Sequence, residues 1–444
     1  MELLGLDEQN DNKLRHSLPF SKTLLAILIL LTAGFGAALL RTTLAQTGPS
    51  GQIPSDNPSK GLVYTGLRKG PANGKCKSLY ELPQNNPTES LTCTHGPDPA
   101  PPGVDVTKPR SEAQLRAGVS ADTTPPTGTV ITAGNGSILC DGDGVSGNRV
   151  QAIYAVASDK TDRYATIAPM IQTWAAEVDG VFFDSAAKTG GVRHVRWVTD
   201  PSCNLVVAHV VLPPTADDSF NSEKSALIGL GYNLTTRKYL VWTDANILCG
   251  IANLSVDTNP AQTNSNNGGN TSVLFARVDQ GCWGLGTGPG SHMSEAHELS
   301  HLLGAVQPAA PHGTPGGHCT DESDTMCYDD GTLKTGQVLT FPCDNTQEHL
   351  LDCNDDDYFN TSPAAGSYLA NNWDISNNSF LISSSSGPPK VGDINGDGQV
   401  NIFDLSVLAS NYGSNSATAA QGDLNGDLRV NIFDLSILAA HWGT

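Results

Sequence analysis

The chain has 444 residues, with 25 Lys or Arg against 45 Asp or Glu and a formal charge of −20. That length exceeds one ordinary domain, and the acidity, with no basic cluster to neutralise phosphates, excludes nucleic acid as a partner. Hydrophobic residues at 38% allow a packed core, while 46 Gly and 27 Pro mark much of the chain as loop or linker.

Residues Thr23 to Leu40 (TLLAILILLTAGFGAALL) carry no charge, follow Lys13, Arg15 and Lys22, and precede a small-residue stretch at Thr43-Leu44-Ala45. Such a run is either the apolar part of a cleaved signal peptide or an N-terminal membrane anchor, so residues 1–45 read as an export segment. Either reading places residues 46 onward outside the cell, secreted or anchored to the outer face of the cytoplasmic membrane. Residues 46–135 (PNPTESLTC, HGPDPAPPGV, DTTPPTGT) lack any sustained apolar period and read as a poorly ordered stalk or a propeptide.

All 10 cysteines come after the apolar run, and none forms a CxxC pair. This is the usage of an oxidising compartment. Pairing each with its neighbour gives Cys76–Cys93, Cys140–Cys203, Cys249–Cys282, Cys319–Cys327 and Cys343–Cys353, of which the last two close the shortest loops.

From about residue 136 the texture changes. Gly147 to Ala157, 192–198, 204–212, 238–245 and 271–278 alternate or are β-branched and read as strands, with helices at Tyr164 to Val178 and Ser222 to Gly229. The order predicts an α+β domain over 136–382, a mixed sheet with helices packed on it. SSSSGPPK (383–390) is a linker by composition, and residues 391–444 contain GDINGDGQVNIFDLSVLASNYG and, thirty residues on, GDLNGDLRVNIFDLSILAAHWG.

The chemistry centres on His297-Glu298-Leu299-Ser300-His301. On a helix, positions i and i+4 share a face, so both imidazoles can reach one zinc ion, with Glu298 placed as general base for an attacking water. Gly304 can end that helix in a left-handed turn, and Asp324-Thr325-Met326-Cys327-Tyr328 puts a methionine in a tight turn. Here the sequence resembles the metzincin metallopeptidases, whose pattern is HExxHxxGxx(H/D) followed by a Met-turn. The resemblance implies a zinc endopeptidase with a sheet subdomain, an active-site helix and an irregular C-terminal subdomain, and it gives Met326 the role of an apolar floor. The third ligand of the family would fall on Gln307, a poor zinc ligand. His312, His318, Asp321 and Glu322 are the replacements. His318 is preferred because it adjoins Cys319, whose bond to Cys327 would hold it beside the Met-turn, and His312 is the alternative. Tyr328 is a candidate oxyanion donor. In the 46–135 stretch, Cys76 or Cys93 could block zinc, although a local disulfide is favoured. His194 and His209 sit in strand-like runs and read as core or surface residues, and His292 and His349 have no partner at ligand spacing. Asp352 to Asp357 is an acidic patch that reads as a cation site or a solvated turn.

Each C-terminal repeat spells a calcium loop: Asp393, Asn395, Asp397, the carbonyl of Gln399 and Asp404 in the first, and Asp423, Asn425, Asp427, the carbonyl of Arg429 and Asp434 in the second. Loop then helix, duplicated, resembles type I-like dockerin modules. That resemblance implies a small all-α unit, two calcium ions and a cohesin-like partner, with Ile402, Phe403, Ile432 and Phe433 facing that partner or packing the repeats together. Leu428 stands where the first repeat has Gly398, at a position that needs a sharp turn. The reading is thus an extracellular endopeptidase acting on protein or peptide, with one catalytic zinc. The alternative is a non-catalytic adhesion or scaffold subunit, or an accessory protein of a polysaccharide-degrading complex.

Overall fold

A computed structural model describes residues 53–83, 91–118, 138–139, 141–268, 273–285 and 293–384, and in the C-terminal repeat 391–392, 394, 400, 402–415, 417 and 421–443. By contact the chain divides into Met1–Ser50 and Gly51–Thr444. The export segment, including the candidate anchor at 23–40, lies outside the described residues. Among the described residues no helix is long and apolar enough to cross a membrane.

In chain order the strands are β1 (Arg68–Lys69), β2 (Tyr80–Leu82), β3 (Thr92–Asp98), β4 (Arg149–Ala157), β5 (Val192–Val195), β6 (Val207–Leu212), β7 (Arg237–Thr243), β8 (Gly250–Asn253), β9 (Leu274–Asp279) and β10 (Leu381–Ser384). The helices are α1 (Glu112–Gly118), α2 (Tyr164–Lys188), α3 (Phe220–Gly229), α4 (Ser294–Leu303), α5 (Tyr368–Asn371), α6 (Ile402–Ser410) and α7 (Ile432–Ala440). Eight strands form one mixed sheet in the order β1-β2-β3-β8-β9-β7-β4-β6, and β10 pairs with β5 apart from it. Strands β6, β4, β7 and β9 are parallel, and β8 turns antiparallel to β9.

Strand β4 shows why the parallel part is apolar throughout. Val150, Ala152, Tyr154 and Val156 enter a core shared with Ile171, Trp174 and Phe182 of α2 and with Leu299, Leu302 and Leu303 of α4. Ile153 and Ala155 enter the opposite core with Phe220 and Leu227 of α3. Both faces are covered, as parallel strands require. Helix α2 runs ten residues past its sequence expectation because Val181, Phe182, Ser185 and Ala186 keep its buried face going.

The largest departure from expectation lies at the N-terminal side. Residues 46–135 were expected to be poorly ordered, yet 68–98 supply β1, β2 and β3, and β3 lies antiparallel on β8 with Asp98 opposite Gly250. The Cys76–Cys93 disulfide ties this ribbon together, so neither cysteine is a free ligand. Cys249–Cys282, Cys319–Cys327 and Cys343–Cys353 also pair. Cys203 is disulfide-bonded, and Cys140 lies outside the described residues.

Candidate metal centre

Helix α4 is buried along its whole length, and its ends are fixed by side chains from several elements. At the first turn Glu295 Oε1 accepts from Trp242 Nε1 and from the Gly284 N–H, at 3.0 and 2.8 Å. At the last turn the carbonyl of Leu302 accepts from Lys238, whose ammonium burial pulls down to about 7, and that of Leu303 accepts from Trp373 and Asn378. Gly304 is next, at φ 109°, and a Cβ there would meet Trp373 Nε1 at 2.6 Å, so the left-handed exit needs glycine.

His297 and His301 project together, with Nε2 atoms 3.0 Å apart. Past Gly304 the chain returns, and a tight loop places His318 Nε2 3.3 Å from His301 Nε2. In that loop Thr314 donates its backbone N–H to the His318 carbonyl, and the Cys319–Cys327 bond joins it to the segment of Met326. The other nitrogen of each ring has an oxygen partner: Thr325 O for His297 at 2.6 Å, Ala305 O for His301 at 2.7 Å, and Asp330 Oδ2 for His318 at 3.1 Å. With the ring protons on Nδ1, as those oxygens favour, the Nε2 atoms are the ones a metal would take. A tetrahedral ion with bonds of about 2.0–2.1 Å would separate its ligand nitrogens by roughly 3.3 Å. The donor set and the two separations through His301 therefore fit zinc.

Gln307 takes no part. Its amide donates to Ser255 O and Gly304 O and accepts from Asp257 N, which makes it a clamp on the returning loop. His312, Asp321 and Glu322, the other sequence candidates, do not join the three histidines. Met326 is fully buried.

Two groups that sequence reading missed stand over the histidines. Asp98 Oδ2 lies 2.9 Å from His297 Nε2, and its Oδ1 lies 3.3 Å from His318 Nε2 and accepts from Tyr328 OH at 2.5 Å. Burial would raise this carboxyl, but His95 and His297 hold it well below the usual range. His95 stacks on His301 with ring centroids 3.8 Å apart, and its Nε2 accepts from Ala252 N and lies 3.2 Å from Glu298 Oε2. Burial, then the charge of Asp98, push Glu298 well above the ordinary carboxylate range. The surroundings thus push the two carboxyls in opposite directions, Asp98 down and Glu298 up. Gly250 makes the room for it, since a Cβ there would sit 1.9 Å from Glu298 Oε1. The signal for Asp98 was the HGPD tetrapeptide (95–98), invisible as chemistry until β3 meets β8. A cavity of about 160 Å³ adjoins, lined by Pro99, Pro102, Gly250, Ser294, Glu298 and Tyr328.

In the second C-terminal loop, Asp423 Oδ1 accepts from Gly426 N and Asp427 N, and Asp434 Oδ1 accepts from Leu424 N. Asn431 and Asp434 form a capping box on α7. Leu428 sits at φ 63°, the left-handed turn expected of that position. Of the first loop, Asp404 is buried and accepts from Ile394 N, while Asp393, Asn395, Asp397 and Gln399 lie outside the described residues. Ile394, Val400, Leu408, Val430 and Leu438 form the core of the duplicated unit, and Ile402, Ile432 and Phe433 are exposed.

No curated protein matches the chain. Among solved structures it is similar to metalloproteinase-II from Bacteroides fragilis, at 12% identity and a TM-score of 0.22, over 54% of this chain and 57% of that one. The chain therefore spans little more than half the length of that protein. Residues 391–441 match the family model of the dockerin type I domain, and a dockerin type I domain occupies this segment.

Proposed function

We propose that the chain is an exported zinc endopeptidase, folded with its own residues 92–98 across the cleft and brought to a cohesin-type partner by its calcium-loaded dockerin. The observation that carries this reading is the convergence of three Nε2 atoms, each ring pinned at Nδ1 by an oxygen. His297, His301 and His318 would hold zinc, which supplies Lewis-acid polarisation of a carbonyl and acidifies water. Glu298 takes the proton of the attacking water and delivers it to the leaving nitrogen. Strand β8 offers its edge to an extended peptide, as it does to β3, so substrate would lie antiparallel on it once the N-terminal ribbon leaves. Tyr328 OH, then released from Asp98, is placed to donate to the oxyanion.

The test compares zinc content and casein hydrolysis of the full chain before and after limited proteolysis, for wild type and Glu298→Ala. Wild type should hydrolyse casein only after proteolysis. The variant should keep its zinc and lose at least about 10²-fold in rate. A processed wild type that holds no zinc and cuts nothing, or a variant that cuts as fast, contradicts the proposal.

A further inference from the structure

His312 and Asp321, rivals of His318 by sequence, meet in a second cluster with Asp356 and Asp357. His312 Nδ1 lies 3.3 Å from Asp357 Oδ2, 3.5 Å from Asp321 Oδ2 and 3.7 Å from Asp356 Oδ1. All four donor atoms fall within 4.8 Å of one another. The side chains of Asp321 and Asp357 are each 1% exposed, whereas those of His312 and Asp356 are 34% and 41% exposed and give solvent a way in.

The decisive atom is Asp357 Oδ2. Its carboxylate twin, Oδ1, accepts the His312 backbone N–H at 2.8 Å, but Oδ2 receives no hydrogen bond, and neither His312 Nδ1 nor Asp356 Oδ1 has one. A buried carboxylate oxygen that has only an imidazole nitrogen at 3.3 Å and no aligned hydrogen bond is costly unless a further cation meets it. Among the described residues, every ion pair of Asp321, Asp356 and Asp357 leads to His312, so one imidazole faces three carboxylates.

We infer that His312 Nδ1, Asp321, Asp356 and Asp357 form a second metal site, for a divalent cation of the zinc class. Nitrogen-to-oxygen separations of 3.3, 3.5 and 3.7 Å are within about 0.1 Å of the edges, roughly 3.3–3.6 Å, of a tetrahedron with bonds of about 2.0–2.2 Å. The imidazole selects against calcium and magnesium, which take oxygen alone. The site has structural work to do: from Ala305 to Gly366 the only helix or strand is the single turn Asn345–Gln347. Here the ion would join the loop of His312 and Asp321 to that of Asp356 and Asp357, beside the disulfides Cys319–Cys327 and Cys343–Cys353. This second site stands apart from the peptidase reading, since none of its residues touches the three histidines.

The test counts zinc and calcium by elemental analysis in the full chain, equilibrated with zinc and then desalted. The variants are His312→Gln, Asp357→Asn and His301→Ala. Asp357→Asn retains the oxygen that holds the His312 N–H, so the loop keeps that bond. His312→Gln and Asp357→Asn should each bind one zinc fewer than wild type, and His301→Ala combined with His312→Gln should lose one more than either alone. The melting temperature should also rise less on zinc addition in both single-site variants than in wild type. An unchanged zinc count and zinc-induced rise in both, or a loss of calcium in place of zinc, overturns the assignment.

Discussion

Asp98 lies on His297 and His318 and Glu298 on His95, and their surroundings drive the two carboxyls apart. Asp98 faces His297 and His318, which favour its charged form, while burial and the charge of Asp98 push the Glu298 carboxyl up. On the proposed reading, β3 and Asp98 cover the histidines, so the covered form would be silent through blocked access. Replacing Asp98 by Asn preserves shape but removes the charge-assisted contacts, worth about 1.5–3 kcal/mol each. Uncut Asp98→Asn chain should therefore hydrolyse casein about 10-fold to 100-fold faster than uncut wild type. An uncut variant as silent as wild type would show that the ribbon blocks by bulk alone. At this scale the sequence was legible where chemistry is local. His297, Glu298 and His301 share one turn of helix, and His318 could be chosen because a disulfide partner adjoins it. His95 and Asp98 were not legible, because a strand pairing across more than 150 residues of sequence brings them to Glu298.

Among elements, periodicity was readable and brevity was not. Helices α2 and α3 and strands β4, β6, β7 and β9 lie where apolar spacing put them, with ends shifted by tertiary packing. Strand β8 escaped because four residues, GIAN, are too few to show alternation, yet this strand lines the cleft. The second calcium loop shows the reverse. The duplication alone marked Leu428 as out of place, and the residue sits at φ 63° with its side chain mostly exposed. A left-handed non-glycine residue costs roughly 1–2 kcal/mol, so Leu428→Gly should tighten calcium at this loop by about 5-fold. Calorimetric titration of the full chain with calcium would read the change. Equal affinities for variant and wild type would mean that the turn carries no strain.

For the whole molecule, the Pro-rich composition of 46–135 suggested a poorly ordered stalk or a propeptide, and β1 to β3 are ordered there because their order comes from outside the segment. Strand β3 borrows the hydrogen-bonding edge of β8, and the Cys76–Cys93 bond holds the ribbon to that register. Composition reports what a segment can bury alone, and this one is ordered against a sheet already covered on both faces. The molecule thus joins a mixed-sheet domain, whose β3 covers the histidine cluster, to a dockerin type I domain. The most direct measurement is diffraction at the zinc absorption edge from crystals of the full chain grown with zinc. The expected result is an anomalous peak among the Nε2 atoms of His297, His301 and His318, within bonding distance of Asp98. Empty density among those three nitrogens, with zinc present in the crystal, would contradict the zinc centre.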